Sequence, residues 1–406
     1  MRFTALLHHV TIDLLRESFF ALKRSAAPGV DRVTWQQYQE GLEERLMDLH
    51  RRVHSGTYRA QPSRRVFIPK ADGRERPIGI ASLEDKLVQR AVVTVLEAIH
   101  EEDFLGFSYG FRPGRSQHDA LDSLWVGLAR KRVRWILDAD IQVFFDTISH
   151  EWLLKFIEHR VADPRILRLI QKWLRAGVSE QGARSKTTVG TPQGSVASPF
   201  LANVYLHYVF DLWAHQWRKK HATGEVILVR YADDFVVGFQ NVADARRFLA
   251  DLRERLKRFS LCLHANKTRL IEFGRYAQVN RQQRGLGKPE TFDFLGFTHI
   301  CGKPRNGEGY LLRRQTIKAR LRAKLQVVKT TLMKYRHTPV SQQGQWLGSV
   351  VRGYYQYHAI SGNLPAMEAF RTQVIRGWLF ALRRRSQRSR LPVPSRAWVV
   401  LCCQSS

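Results

Sequence analysis

The chain has 406 residues, 44% of them hydrophobic and 11% aromatic, enough for a large core and, at ordinary domain sizes, for two or three domains. Its 66 Lys and Arg against 36 Asp and Glu give a formal net charge of +30; a neutral substrate has no use for such a field, whereas a polyanion offsets the self-repulsion, so nucleic acid is the expected partner. No apolar stretch approaches the roughly 20 residues of a membrane helix and no signal-peptide pattern is seen, so no membrane partner and a cytoplasmic location are expected, and Cys262, Cys301, Cys402 and Cys403 form no Cys-x-x-Cys pair that would support a zinc site or a disulfide framework.

Leu6, Leu7, Val10, Leu14, Leu15, Phe19 and Leu22 recur at nearly helical spacing before the breaker Ala27-Pro28-Gly29. A second amphipathic helix is expected from residue 35 to about 54, with Leu42, Leu46, Leu49 and Val53 on one face. Two short strands, 64–70 and 76–80, flank the turn Ala71-Asp72-Gly73 and concentrate Lys70, Arg74 and Arg76. That charge suits a clamp on a triphosphate, because a guanidinium can bind two phosphate oxygens at once. Ser82 caps a helix expected to reach about residue 104. In the loop 108–116, Arg112 and Arg115 lie among two aromatic rings and two glycines, a combination that pairs with backbone phosphates and stacks on bases.

Residues 135–146, Trp-Ile-Leu-Asp-Ala-Asp-Ile-Gln-Val-Phe-Phe-Asp, read as an apolar strand ending in Asp138 and Asp140, with Asp146 beyond. Helices over 150–160 and 164–176 and a Gly- and Pro-rich loop lead to a helix over 199–217. Next, 226–239 places two β-branched and aromatic runs around Tyr231-Ala232-Asp233-Asp234, a tight hairpin with carboxylates at its tip. There they can be solvated and hold a metal ion; inside apolar strands two adjacent acids would cost several kcal/mol of desolvation. If Asp140 meets the hairpin acids, their oxygens can hold two hard divalent cations about 4 Å apart, the arrangement that activates a hydroxyl and stabilises a leaving phosphate oxygen. The chemistry expected is nucleotidyl transfer.

A basic amphipathic helix over 241–259 and a turn plus strand over 264–273 follow. The polar stretch 302–309 is the expected domain boundary. From Lys303 to Arg390 nineteen Lys or Arg stand against Glu308 and Glu368, on a pattern of about three helical segments, which fits a helical unit that holds a duplex backbone. The tail 391–406 is short and apolar, as expected of a truncated or frame-shifted ending.

Tyr-Ala-Asp-Asp on a hairpin, with Asp-Ile-x-x-Phe-Phe-Asp upstream, resembles the palm of reverse transcriptases. Pro28-Gly29-Val30-Asp31, the Pro-Lys-x-x-Gly-Arg-x-Arg-Pro of residues 69–77, the loop 108–116, Pro192-Gln193-Gly194-Ser195, the block 292–299 and the runs 350–357 and 378–388 resemble, in order, the group II intron-encoded branch. The resemblance covers nearly the whole chain from Thr4 to Arg390. It implies an α+β right-hand polymerase, with fingers and palm built on an antiparallel sheet over 1–300, an all-helical thumb, or maturase, domain over 301–390 and an atypical tail over 391–406. It implies RNA-directed DNA synthesis on a DNA primer with two Mg²⁺ held by Asp140, Asp233 and Asp234. Lys70 and Arg76 would take the triphosphate of the deoxynucleotide, Phe145 would wall its sugar pocket against a ribose 2′-hydroxyl, Gln193 belongs to the segment that approaches it closely, and Lys267 stands near the triphosphate. Arg112 and Arg115 would grip the RNA template; Arg352, Tyr354, Tyr355, Arg383, Arg384 and Arg385 would bind intron RNA in support of splicing and intron mobility.

Gln142 and Val143 depart from this pattern, where relatives carry a basic and a small residue. No nuclease-like His and Cys cluster follows, so no endonuclease domain is expected. Two alternatives stand beside the polymerase: a maturase with a dormant polymerase site that folds intron RNA for splicing, and a reverse transcriptase serving a defence or diversity-generating system. A nucleotide cyclase palm is a more distant third, since it leaves the fingers and Pro-Gln-Gly blocks without purpose.

Overall fold

The structure, a computed structural model, describes residues 1–69, 75–180, 183–185, 188–304 and 309–385. The chain divides into two units, Met1–Leu270 and Ile271 onward.

In the first unit, polar residues decide where helices start and stop. Thr11 accepts a hydrogen bond from the Leu14 amide and opens the helix Ile12–Phe20, so that helix begins later than the apolar spacing suggests. The helix expected over 35–54 is two, Trp35–Gln39 and Leu42–His54. They part at Gly41, whose φ of +71° an L side chain resists. Ser82 caps Leu83–His100 by accepting from the Asp85 amide, and that helix ends short of the expected residue 104.

Strand β1 (Ser63–Pro69) pairs antiparallel with β2 (Glu75–Ile80), as the sequence leads one to expect. Strand β3 (Trp135–Ala139) carries Asp138. Two short strands, β4 (Val178–Glu180) and β5 (Ala183–Ser185), were not foreseen; β1 pairs with β4 in parallel, giving the order β2-β1-β4-β5. The helix expected over 199–217 comprises Ser198–Leu206, a π-helical turn His207–Asp211 and Leu212–Lys220. Strands β6 (Val226–Tyr231) and β7 (Asp234–Phe239) form the foreseen hairpin. β3 pairs antiparallel with β7, and β8 (Arg269–Glu272), in which the first unit ends, completes the order β6-β7-β3-β8. The helix Val242–Arg258 packs on β3 and β7. Phe235, Val237 and Phe239 of β7 are buried with Phe248 and Leu252 of that helix, each such side chain contributing roughly 1.5–3 kcal/mol. The central strand is thereby buried from Phe235 to Phe239, with its first residue, Asp234, exposed.

In the second unit, β9 (Phe292–Phe294), β10 (Phe297–Gly302) and β11 (Leu311–Thr316) form an antiparallel sheet of their own, in the order β11-β10-β9. The block 292–299, expected to close the palm, therefore pairs with β11, and the division of the chain falls ahead of it rather than in the polar stretch 302–309. Three helices follow as expected, Lys318–Lys334, Val340–His358 and Leu364–Arg383. Val328, Leu332, Leu347, Tyr354, Phe370 and Val374 make their core, but Lys318–Lys334 buries only Val328 and Leu332 of its seventeen residues. The tail 391–406 lies outside the described residues. Among the described residues no helix is long and apolar enough to cross a membrane.

Candidate active site

Sheet register brings the acidic positions together. Ala139 of β3 pairs with Phe235 of β7, so the next position of that register sets Asp140 level with Asp234. Tyr231 pairs with Asp234 across the hairpin, leaving Ala232 and Asp233 as its two-residue turn. Asp140 is further held by its carbonyl, which accepts from the His264 amide at 2.8 Å. Burial pushes the Asp233 carboxyl above the ordinary carboxylate range; the charge of Asp140 adds to that, and Arg76 and Arg230 pull the other way. Negative charge is thus concentrated at one point, and cations are drawn to it.

Two of those cations are lysine and arginine. Lys267 donates to Asp140 Oδ2 at 2.6 Å, and Arg269 to Asp138 Oδ2 at 2.9 Å. Among the described residues no three His, Cys, Asp or Glu side chains are disposed to hold a metal ion as they stand; the Lys267 ammonium supplies the neutralising charge on Asp140. The donor chemistry of Asp140, Asp233 and Asp234 still suits a hard divalent cation, which takes carboxylate oxygens by preference.

Gln193 and Arg76 are also adjacent. Arg76 donates from Nε to Gln193 Oε1 at 2.7 Å, and the Gly79 amide donates to the Gln193 carbonyl at 2.7 Å, which ties β2 to the Pro192-Gln193-Gly194-Ser195 loop. Gly194 has φ +104°, and a Cβ there would lie 2.6 Å from Ile78 Cγ2, so only glycine lets the two backbones approach. Gln89, buried on Leu83–His100, accepts from Ser195 Oγ and the amides of Val196 and Ala197 and fixes the loop from behind. The Thr191 amide donates to the Phe145 carbonyl at 2.7 Å, which seats Phe145, half-buried, beside the same loop. A cavity of about 230 Å³ opens there, lined among others by Arg65, Ile78, Asp146 and Gln193.

Other expected contacts sit differently. Lys70 lies outside the described residues. Arg112 is buried, and its guanidinium donates to Glu101 and to the carbonyls of Leu105 and Ser108. It pins its own loop and has no face for a phosphate, which corrects the expectation of a template contact; Arg115, exposed beside the Tyr109 ring, has one. Tyr354 is corrected likewise, being buried and stacked on Phe370 with ring centroids 3.7 Å apart. Tyr355 is half-buried, Arg352, Arg383 and Arg384 are exposed, and Arg385 donates to the carbonyls of Arg336 and Thr338 within the helical unit. The sequence reading passed over Arg230. The signal was present: a lone arginine in the run Val-Ile-Leu-Val-Arg-Tyr must find partners wherever that strand is buried.

A family model described as reverse transcriptase (RNA-dependent DNA polymerase) matches residues 68–299, more than half of the chain, from β1 through the block 292–299. Protein YkfC of Escherichia coli (strain K12) is 36% identical over 244 residues, 53% of this chain and 64% of that protein. The group II intron-encoded protein LtrA of Lactococcus lactis subsp. cremoris is 42% identical over 166 residues, 41% of this chain and 27% of that protein. An uncharacterized 91 kDa protein in the cob intron of Schizosaccharomyces pombe is 44% identical over 155 residues, 38% of this chain and 19% of that protein. The chain spans less than two thirds of the length of each of these relatives. With the family model running through both acidic strands, the Arg76 hairpin and the Gln193 loop, the chain belongs to the reverse transcriptase (RNA-dependent DNA polymerase) family, in its group II intron-encoded reverse transcriptase and maturase branch.

Proposed function

We propose that this protein is an RNA-directed DNA polymerase of a group II intron, extending a DNA primer on an RNA template with deoxynucleoside triphosphates. The observation that carries the reading is the convergence of Asp140 with the Asp233–Asp234 turn, close to Arg76, which Gln193 holds. In the reaction the primer 3′-hydroxyl attacks the α-phosphate, the bond to the β-phosphate breaks, and pyrophosphate leaves. Reverse transcriptases use divalent metal ions, and two Mg²⁺ on Asp140, Asp233 and Asp234 would lower the pKa of the attacking hydroxyl and offset charge on the leaving oxygen. The chain's own residues orient the reactants: Arg76 takes phosphate oxygens, Lys267 adds positive charge beside Asp140, and Phe145 crowds the sugar where a 2′-hydroxyl would sit. Catalysis of this kind is mainly positioning and charge neutralisation. The basic helical unit, with Arg352, Arg383 and Arg384 exposed, supports a second role in binding intron RNA for splicing.

Primer extension on an RNA template with Mg²⁺ tests this directly. Wild-type protein is expected to extend, and the Asp233→Ala/Asp234→Ala variant to lose extension while keeping RNA affinity. A folded wild type that binds RNA and never extends would instead support the role of a maturase with a dormant site, the reading that the unusual Gln142 and Val143 favour.

A further inference from the structure

Arg230 is fully sealed from solvent, three residues before Asp233. A guanidinium has five N–H donors, and here all five are used. Nε donates to Asp211 Oδ1 at 2.7 Å and Nη2 to Asp211 Oδ2 at 2.6 Å; Nη2 also donates to Ser108 Oγ at 2.6 Å, and Nη1 to Asn203 Oδ1 at 3.1 Å and to the Ala232 carbonyl at 2.8 Å. Asp211 is equally buried and closes the π-helical turn His207–Asp211, an element that recurs at functional sites.

The turn that this guanidinium reaches is strained. Ala232 has φ +56°, at a hairpin position that ordinarily takes glycine. A residue keeps such a conformation when its surroundings over-determine it, and here they do so from several sides. The Arg230 amide donates to the Phe107 carbonyl and the Tyr109 amide to the Arg230 carbonyl, laying the segment 107–110 along β6. Gly110 then lies so close that a Cβ on it would be 2.2 Å from the Ala232 nitrogen. Asn203 donates to the Gly110 carbonyl at 2.6 Å, joining that segment to the same guanidinium.

A buried ion pair is poor evidence of added stability, since well-packed apolar residues of similar volume commonly serve as well. What an apolar pair cannot do is aim a donor at the Ala232 carbonyl. We propose that Arg230, held by Asp211, is a positioning residue that fixes the Ala232–Asp233 turn and with it the placement of the Asp233 and Asp234 carboxylates relative to Asp140. Its effect on catalysis rests on the polymerase reading above; its effect on the turn does not.

Three full-length variants separate positioning from mere support. Arg230→Met with Asp211→Leu removes both charges at similar volume, Arg230→Lys keeps a charge for Asp211 but loses the fork, and Asn203→Ala removes one acceptor of the guanidinium together with the donor to the Gly110 carbonyl. Each is followed by thermal melting, by hydrogen exchange of the amides from Ala232 to Phe235, and by single-nucleotide extension. In the folded variants we expect turn amides to exchange about tenfold faster or more while β3 amides are unchanged. Turnover should fall about tenfold or more, with the KM for deoxynucleotide and the RNA affinity within about threefold of wild type. Folded variants that keep wild-type exchange at the turn, or wild-type turnover, would overturn the proposal. If the wild type itself extends no primer, the polymerase reading fails, and the exchange measurement still decides whether the clamp exists.

Discussion

Lys267 and Asp140, 127 positions apart in sequence, form an ion pair of 2.6 Å at the edge of the acidic turn. The pair is partly exposed, so it is worth only about 0.2–1 kcal/mol. That is enough to compete with a metal ion for the same oxygen. Lys267→Met should therefore bind Mn²⁺ more tightly, by roughly two- to fivefold, in a titration followed by electron paramagnetic resonance. It should also extend primers more slowly, because positive charge beside the triphosphate is gone. Weaker Mn²⁺ binding by the variant would mean that Lys267 supports the metal site rather than competing with it.

The hydrogen bond from Arg76 to Gln193 makes the two residues a unit. Arg76→Ala and Gln193→Ala should each raise the KM for deoxynucleotide, and the double variant should lose less than the two losses combined, by about 1 kcal/mol in a double-mutant cycle. Strict additivity in extension kinetics would refute the coupling.

Val143 has φ +41° and an exposed side chain. A β-branched residue in the left-handed region carries about 1–2 kcal/mol of strain or more, and this one has little burial to set against it. Val143→Gly should raise the melting temperature by about 1–2 °C, after allowing about 0.5–1 kcal/mol for the greater chain entropy of glycine. A lower melting temperature would show that the side chain makes contacts that outweigh the strain.

His100 is wholly buried between Phe104 and Phe200, and neither ring nitrogen has a hydrogen-bond partner among the described residues. Burial first, then the nearby His207 and Arg160, push its pKa from 6.5 down to about 4. The folded protein thus binds this proton less readily than the unfolded chain. Its contribution is fully present above pH 6.5 and is lost as pH falls towards 4, reaching about 2 kcal/mol of destabilisation at pH 5 as an upper bound. His100→Leu should flatten that part of the curve of stability against pH, measured by urea unfolding between pH 4.5 and 7.5. An unchanged slope would place the acid sensitivity elsewhere.

The acidic hairpin was legible because its two strands are short, apolar and bounded by a polar break, so local composition and tertiary role agree. The cap at Ser82 and the three C-terminal helices were legible for the same reason. What escaped was non-local. β4 and β5 are three residues each, too short to leave a periodic pattern, and β4 is a strand only because it pairs with β5 on one side and β1 on the other. The split at Gly41 depends on a dihedral angle that the apolar face Leu42, Leu46, Leu49 and Val53 conceals. Arg112 looks like a phosphate ligand in sequence, because an arginine among aromatics and glycines has the same composition whether it points outward or turns in to meet Glu101. The Arg230 clamp gathers Ser108, Asn203, Asp211 and Ala232, lying up to 122 positions from Arg230 itself, and no window of sequence contains it.

The helix Lys318–Lys334 buries two side chains and carries six basic residues with no acidic one. So little apolar contact leaves the helix near the low end of local stability, and its own charges repel one another. Any polyanion that binds the ordered form better than the disordered one adds to the stability of that segment by mass action. In the proposed role, forming the thumb and forming the ribonucleoprotein are then linked equilibria. The salt dependence of RNA affinity reports both, because each phosphate contact releases counterions and also offsets the repulsion among the helix's own basic residues.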